Sequence, residues 1–184
     1  IEVKDVGLYY VMPEASLNDT SKANVVLKSN GDTDKVATVI SSAVATAGDK
    51  ADVKIEIAQS TDESGKVVNP QIGKAVFEQL NNKKAADAAV IFSYGDLSYK
   101  FAAADITNPG AVESITLGAD EATSEVKAKV GDNVAYAIDF AHSGKLPGKA
   151  TVTIPVDLAD GQYTWCYVND ANQLTEGKLV TVKN

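Results

Sequence analysis

The sequence predicts a strand-dominated α+β protein, in which a small helix-covered sheet is followed by a β-sandwich-like part. Up to residue 108, strand-like and helix-like spacings of apolar residues alternate, and a clear β-hairpin lies at residues 90–101. After Asn108-Pro109-Gly110, the pattern indicates strands alone. We therefore predict two domains: residues 1–108 form an α+β part with two helices, and residues 109–184 form an all-β, sandwich-like part.

The first elements are two strands and a helix. Residues 1–11 and 23–28 are rich in β-branched and aromatic side chains, which favours strands. From Val36 to Ala47 the apolar residues fall at helical spacing, and Asp32 or Thr33 stands where an N-cap is expected. These features predict a helix over residues 36–47.

A second strand–helix pair follows. Residues 52–57 alternate between polar and apolar side chains, which is typical of a strand with one buried face. Asn69-Pro70 has the form of a helix start, with Asn as the cap and Pro in the first turn. The expected apolar stripe of this second helix is Ile72, Ala75, Val76 and Leu80.

The hairpin at residues 90–101 is the most specific local prediction. Gly95-Asp96 fits a two-residue turn between two segments of alternating apolar residues. This turn sets the register, so that the following pairs share one face of the hairpin: Tyr94 with Leu97, Phe92 with Tyr99, and Val90 with Phe101.

Beyond the turn at residues 108–110, regularly spaced strands favour a sandwich. Gly131-Asp132, Pro147-Gly148 and Asp160-Gly161 separate segments with strand character. The predicted strands are residues 112–117, 125–130, 133–140, 149–154, 162–168 and 178–182.

Composition argues against several classes of function. The chain has no arginine and has one histidine, one cysteine and one tryptophan, so few side chains are suited to catalysis or metal binding. We therefore predict that it is not an enzyme and has no cofactor or metal site. A net charge of −8 disfavours nucleic acid, and no apolar run is long enough for membrane insertion.

Two stretches carry a resemblance to known proteins. The first comprises residues 72–80, 89–94 and 97–106, and the second comprises residues 148–155, 161–169 and 174–175. These stretches resemble modules of large secreted surface proteins of Gram-positive bacteria, including S-layer-homology-domain and cellulosome-type proteins. The resemblance implies an extracellular, cell-surface location and a non-catalytic module of a multi-part protein. It transfers no binding residues.

The candidate ligand-binding residues are Tyr163, Trp165 and Tyr167, here called the aromatic stripe. They alternate along the predicted strand at residues 162–168 and so share one face, whereas Thr164, Cys166 and Val168 share the other. An exposed stripe offers flat aromatic surfaces on which sugar rings stack. The alternative is that the aromatic side chains form a core. The exposure of Trp165 separates these two interpretations.

Other candidate sites have simpler explanations. His142 and Cys166 constitute a conceivable nucleophilic pair, but no flanking signature supports it. Residues 29–34 fit a capped turn better than a calcium loop. The acidic residues Asp120, Glu121 and Glu125 fit a solvated loop or a loose calcium site, and Asp139 fits a solvent-facing strand position.

These observations predict a non-catalytic binding module of a bacterial cell-surface protein, with a polysaccharide as its ligand. The alternative is a structural spacer or protein-docking module of a surface array, whose partner is a neighbouring surface-protein module. An enzyme is the third class, and it would depend on His142.

Overall fold

The computed structural model of the protein describes residues 7–11, 24–29, 52–83, 88–175 and 177–183. Contacts divide the chain into two units. The first comprises Ile1–Gly118 and Ala141–Ile154, and the second comprises Ala119–Phe140 and Pro155–Asn184. The boundary predicted at residues 108–110 falls inside the first unit. The predicted division into two domains at that point stays a prediction.

Short strands dominate the described residues, and two helices lie between them. The strands, in chain order, are β1 (Gly7–Val11), β2 (Asn24–Ser29), β3 (Asp52–Ile57), β4 (Ser60–Thr61), β5 (Val67–Val68), β6 (Gln71–Gly73), β7 (Ala89–Tyr94), β8 (Leu97–Ala102), β9 (Ser114–Thr116), β10 (Ala119–Glu121), β11 (Ile138–Phe140), β12 (Thr151–Thr153), β13 (Gly161–Trp165) and β14 (Lys178–Val182). The helices are α1 (Lys74–Asn81) and α2 (Thr123–Val130), and a 3₁₀ turn spans Ala103–Asp105. The predicted strand-dominated α+β class is confirmed.

The first unit is built on a six-stranded sheet of order β1-β2-β3-β7-β8-β12. β3 is parallel to β2 and to β7, whereas the β1–β2, β7–β8 and β8–β12 pairs are antiparallel. α1 lies in the connection between the parallel strands β3 and β7, as is usual for crossovers between parallel strands. The predicted strands at residues 23–28 and 52–57 are confirmed within a residue at each end.

The β7–β8 hairpin has the predicted register. Tyr94 pairs with Leu97, Phe92 with Tyr99, and Val90 with Phe101. Of these six side chains all but that of Leu97 are buried, whereas Lys100 on the opposite face is exposed. The two-residue turn and the alternation of apolar side chains were therefore sufficient to predict this element.

The core of the first unit lies between the sheet and α1. Phe77 of α1 meets Phe101 of β8 edge-on, with ring centroids 5.0 Å apart, and Phe92 of β7 meets Phe101 at 6.2 Å. Such edge-to-face pairs are the favoured geometry for aromatic rings. Val76 and Leu80 complete the buried stripe of α1, while Ala75, which the sequence placed on that stripe, is exposed.

The start of α1 differs from the prediction. Asn69-Pro70 does not cap the helix; Gly73 precedes it instead and provides no side-chain cap. Residues 71–73 form β6, which pairs with β9 and buries Ile72 opposite Ile115. This long-range pairing competes with the local helix signal of Asn-Pro and extends the chain until Lys74.

In the first unit, the backbone before β12 closely approaches the end of the 3₁₀ turn. Gly148 forms a bridge with Ile106, and a Cβ at position 148 would overlap the Asp105 carbonyl oxygen and stand 2.7 Å from Ile106 Cα. Glycine is therefore required here. β12, which the sequence assigned to a sandwich, pairs with β8 at the edge of the main sheet.

The second unit contains α2 and two antiparallel strand pairs, β10–β11 and β13–β14. The strand predicted at residues 125–130 is wrong, because these residues belong to α2. Alternating apolar residues favour a strand where a sheet buries one face, but none of the α2 side chains is buried. Glu, Ala and Lys are strong helix formers, so local propensity decides the conformation.

A β-sandwich is not confirmed. In the described part of the chain after residue 109, β9 and β12 pair with strands of the first unit, and the remaining strands form two separate pairs. The helix predicted at residues 36–47 and the turn at residues 30–34 lie outside the described residues. Each described helix has eight residues, and neither is long and apolar enough to cross a membrane.

Candidate functional site

The aromatic stripe lies on the β13–β14 hairpin of the second unit. Trp165 pairs with Lys178, and Tyr163 pairs with Val180. Directly paired residues lie on the same face, so these four side chains share one face, which we call the aromatic face. Thr164 and Leu179, which also pair with each other, lie on the opposite face.

Trp165 and Tyr167 are largely exposed to solvent. Trp165 is 55% exposed and Tyr167 is 66% exposed, although aromatic residues of this size are usually mostly buried. Neither side chain therefore has the burial that the core interpretation requires. Phe77, Phe92 and Phe101 of the first unit, each at most 1% exposed, show the contrast.

Tyr163 is held more closely than the other two aromatic residues. Its hydroxyl donates a hydrogen bond to the Ala159 carbonyl oxygen at 2.9 Å, and its side chain is half-buried. The ring lies over Gly161, where an added Cβ would stand 3.5 Å from a ring carbon. Tyr163 therefore lies back along its own strand, and the Trp165 and Tyr167 rings are the accessible part of the stripe.

The predicted strand at residues 162–168 ends early, at Trp165. Beyond it, Val168 forms an isolated bridge with Leu174, and the Tyr167 carbonyl oxygen accepts hydrogen bonds from Thr175, from its N–H at 2.9 Å and from its hydroxyl at 3.1 Å. Tyr167 therefore lies just outside regular strand geometry, between the β13–β14 ladder and an outer turn.

The pairing register changes between the two parts of the hairpin. The Trp165–Lys178 and Val168–Leu174 pairs are not separated by equal numbers of residues on the two sides. Gly177 approaches Trp165 closely, and a Cβ there would overlap the Trp165 carbonyl oxygen. Gly177 was not predicted to have this role, although a lone glycine beside a strand pattern indicates a close backbone approach.

The outer turn, which comprises residues 169–173, is fixed by Asn169. Its side-chain oxygen accepts hydrogen bonds from the N–H groups of Ala171 and Gln173, at 3.0 and 2.9 Å. Its amide nitrogen donates to the Gln173 side-chain oxygen at 3.3 Å. Asn172 then adopts a φ of 56°, a left-handed conformation that asparagine tolerates better than most residues. The turn is thus ordered by its own side chains.

Few charges lie on the hairpin itself. Lys178, opposite Trp165, is the one charged residue within β13 and β14, and it is exposed. The exposed carboxylates Asp157, Asp160 and Asp170 flank the strands. The aromatic face therefore offers an indole, a phenol and an ammonium group, and acidic residues precede and follow β13 along the chain.

The structure places His142 and Cys166 in different units. Both ring nitrogens of His142 have backbone partners, Thr116 N at 3.3 Å and the Lys145 carbonyl oxygen at 2.9 Å. The Cys166 thiol lies 3.7 Å from the Thr164 carbonyl oxygen. These contacts assign local structural roles to the two side chains.

The acidic candidates are also engaged in local structure. Asp139 lies in β11 and is exposed, as predicted. Glu121 accepts a hydrogen bond from the Thr123 N–H at 2.8 Å, and its hydrogen bonds with Thr123 lower its pKa. Within the described ranges, no three His, Cys, Asp or Glu side chains come together in a group that could hold a metal ion.

Comparison with known proteins adds no relative. No family model, no curated protein and no solved structure matches this chain.

Proposed function

We propose that this chain is a non-catalytic binding module of a bacterial cell-surface protein and that it binds a polysaccharide on the aromatic face of the β13–β14 hairpin. The exposure of Trp165, at 55%, is the observation that carries the proposal. Sugar rings present flat C–H faces, and an exposed indole offers a complementary flat surface.

Further features of the hairpin support this proposal. The Tyr167 ring is exposed, and the outer turn that follows is fixed by Asn169. A surface that is ordered before binding loses less conformational entropy on association. The resemblance to secreted Gram-positive surface proteins provides the proposed setting, which is extracellular.

Retention on a panel of soluble and insoluble glycans tests the proposal. We expect the wild-type chain to be retained by at least one glycan, with a change in Trp165 fluorescence on binding. Trp165→Ala is expected to lose retention, because stacking of one ring against an aromatic side chain contributes about 1 kcal/mol or more. Leu179→Ala is the matched control, since Leu179 is 60% exposed on the opposite face.

Two results would contradict the proposal. Retention that survives Trp165→Ala but not Leu179→Ala would place the ligand on the face opposite to the aromatic face. No retention of the wild-type chain by any glycan, with unchanged Trp165 fluorescence, would rule out the proposal.

A second candidate function is supported by the low burial of the second unit. Ala122 is the one buried residue among those described in this unit, and both faces of the hairpin are largely exposed. A lone two-stranded hairpin is at best marginally stable in water. A protein-docking module would gain stability by covering the hairpin with a neighbouring surface-protein module. In that case Leu179→Ala and Trp165→Ala would weaken docking to similar degrees, and no glycan would be retained.

A further inference from the structure

His142 holds a short loop of the first unit against β9. It follows Ala141 and precedes the exposed residues 143–146. Its Nδ1 atom lies 3.3 Å from the backbone nitrogen of Thr116 in β9, and its Nε2 atom lies 2.9 Å from the Lys145 carbonyl oxygen. The imidazole therefore joins one edge of β9 to the far end of its own loop.

The two partners fix the tautomer of the ring. A backbone N–H can only donate, so Nδ1 must accept the hydrogen bond from Thr116. A carbonyl oxygen can only accept, so Nε2 must carry the proton and donate to Lys145. Both bonds therefore exist together only when His142 is neutral and protonated at Nε2.

Protonation of Nδ1 removes the acceptor for Thr116. Two N–H groups would then face each other at the same position, and the Thr116 N–H would lose its partner. Thr116 is paired with Gln71 in the β6–β9 ladder, but its neighbour Leu117 is the residue that donates to the Pro70 carbonyl oxygen. The Thr116 N–H thus donates to His142 Nδ1 and not to β6.

The ends of the loop are held by bonds that do not titrate. The Ala141 N–H donates to the Gly118 carbonyl oxygen at 3.0 Å. At the other end, the Pro147 carbonyl oxygen accepts from the N–H groups of Thr107 and Asn108, at 3.1 and 2.9 Å. The segment that depends on the His142 contacts is therefore residues 142–146.

Few charged groups belong to the segments that pack against His142. The residues of β9 and the facing residues of β6 carry no charge. Glu113, next to β9, forms an ion pair with Lys74 at 2.8 Å. Lys145 lies in the loop itself, and Asp139 precedes His142 by three residues; both are exposed. The Thr116 N–H is the group whose hydrogen bond depends directly on an unprotonated Nδ1 of His142.

We propose that His142 is an acid-sensitive latch: neutral imidazole closes the loop at residues 142–146 onto β9, and protonation releases it. Histidine is the side chain that ordinarily changes charge between about pH 5 and 8, and this is the one histidine of the chain. The residues of the latch all belong to the first unit, whereas the proposed glycan-binding residues belong to the second.

Hydrogen exchange of single amides, measured by NMR, tests the latch. Protection factors, corrected for the intrinsic effect of pH, are compared at about pH 7.5 and about pH 5.5. The protection factor of the Thr116 amide is expected to be about fivefold lower at the acidic pH, because its N–H donor is then left unpaired. The Leu117 and Ala141 amides are internal controls and are expected to change little, because their partners are backbone carbonyls.

Two further measurements keep the proposal open to refutation. Nitrogen shifts of the wild-type ring at neutral pH are expected to show the Nε2–H tautomer. In His142→Gln, whose side chain does not titrate, Thr116 protection is expected to be the same at both pH values. Equal Thr116 protection at both pH values in the wild-type chain, the Nδ1–H tautomer, or a fall that persists in His142→Gln would each overturn the latch.

Discussion

Truncation of Trp165 is expected to cost far less stability than truncation of Phe101. The two aromatic residues differ in burial, at 55% and 1% exposed. An aromatic side chain spans about 200 Å², so roughly 90 Å² of Trp165 is withdrawn from water in the folded chain. At about 25 cal/mol per Å², this area contributes about 2 kcal/mol at most. Because unfolded chains also bury some surface, we expect Trp165→Ala to cost about 1 kcal/mol.

Phe101 lies at the centre of the first unit's core. It is in contact with both Phe77 and Phe92, and its removal leaves a cavity between α1 and the sheet. Such substitutions cost about 3–5 kcal/mol. Because domains of this size are stable by only about 5–15 kcal/mol, Phe101→Ala is expected to bring the first unit close to unfolding.

Urea unfolding followed by NMR resolves the two units, since the amide signals of β7 and β13 report on them separately. Signals of β13 are expected to disappear at slightly lower urea in Trp165→Ala than in the wild-type chain. Signals of β7 are expected to disappear at much lower urea in Phe101→Ala. A cost for Trp165→Ala of about 3 kcal/mol or more would show that the ring is core, and the proposed binding face would be refuted.

Three further tests, two of them with a control substitution, address particular contacts. Gly148→Ala is expected to destabilise the first unit by about 1–3 kcal/mol in urea unfolding, through overlap with the Asp105 carbonyl; Gly73→Ala, which has open space around it, is expected to change little. Tyr99→Phe is expected to lower the free energy of unfolding, measured by calorimetry, by about 1–3 kcal/mol, because the buried Gly118 N–H loses its partner at 3.0 Å. Tyr163→Phe is the control in the same measurement, since the hydrogen bond that it removes is exposed to solvent. Glu121 has a pKa lowered from 4.5 by hydrogen bonds from Thr123, so the stability that it contributes is present above pH 4.5 and is lost as the pH falls through the folded value. Glu121→Gln is expected to abolish that pH dependence in the amide shifts of Thr123.

Elements with strong local signals were predicted well. The register of the β7–β8 hairpin was predicted correctly, because Gly95-Asp96 and the alternating apolar residues determine the pairing of two strands that are adjacent in sequence. The alternation in residues 52–57 was equally informative, since β3 has one buried face. In both cases the local pattern and the tertiary packing agree.

The predictions that differ from the structure depend on long-range pairing or on missing burial. Ile72 was assigned to a helix, but it is placed in a strand by β9, which lies more than thirty residues further along the chain. Residues 125–130 alternate like a strand, but no sheet buries one side of them. The Tyr167 position was misjudged because β13 ends at Trp165, where the pairing register of the hairpin changes. The exposure of Trp165 was left open because alternation identifies a shared face without saying whether that face is buried.

The two units differ in how their side chains are used. In the first, large apolar residues such as Phe77 and Phe101 are buried between sheet and helix, and these residues determine the fold. In the second, the exposed large apolar residues include Trp165, Tyr167, Leu174 and Leu179, all within one hairpin and its turn. The solvent-exposed area of these side chains does not stabilise the free chain, and clusters of this kind usually mark interaction sites. Binding at this hairpin would therefore withdraw several large apolar side chains from water, whichever ligand covers them.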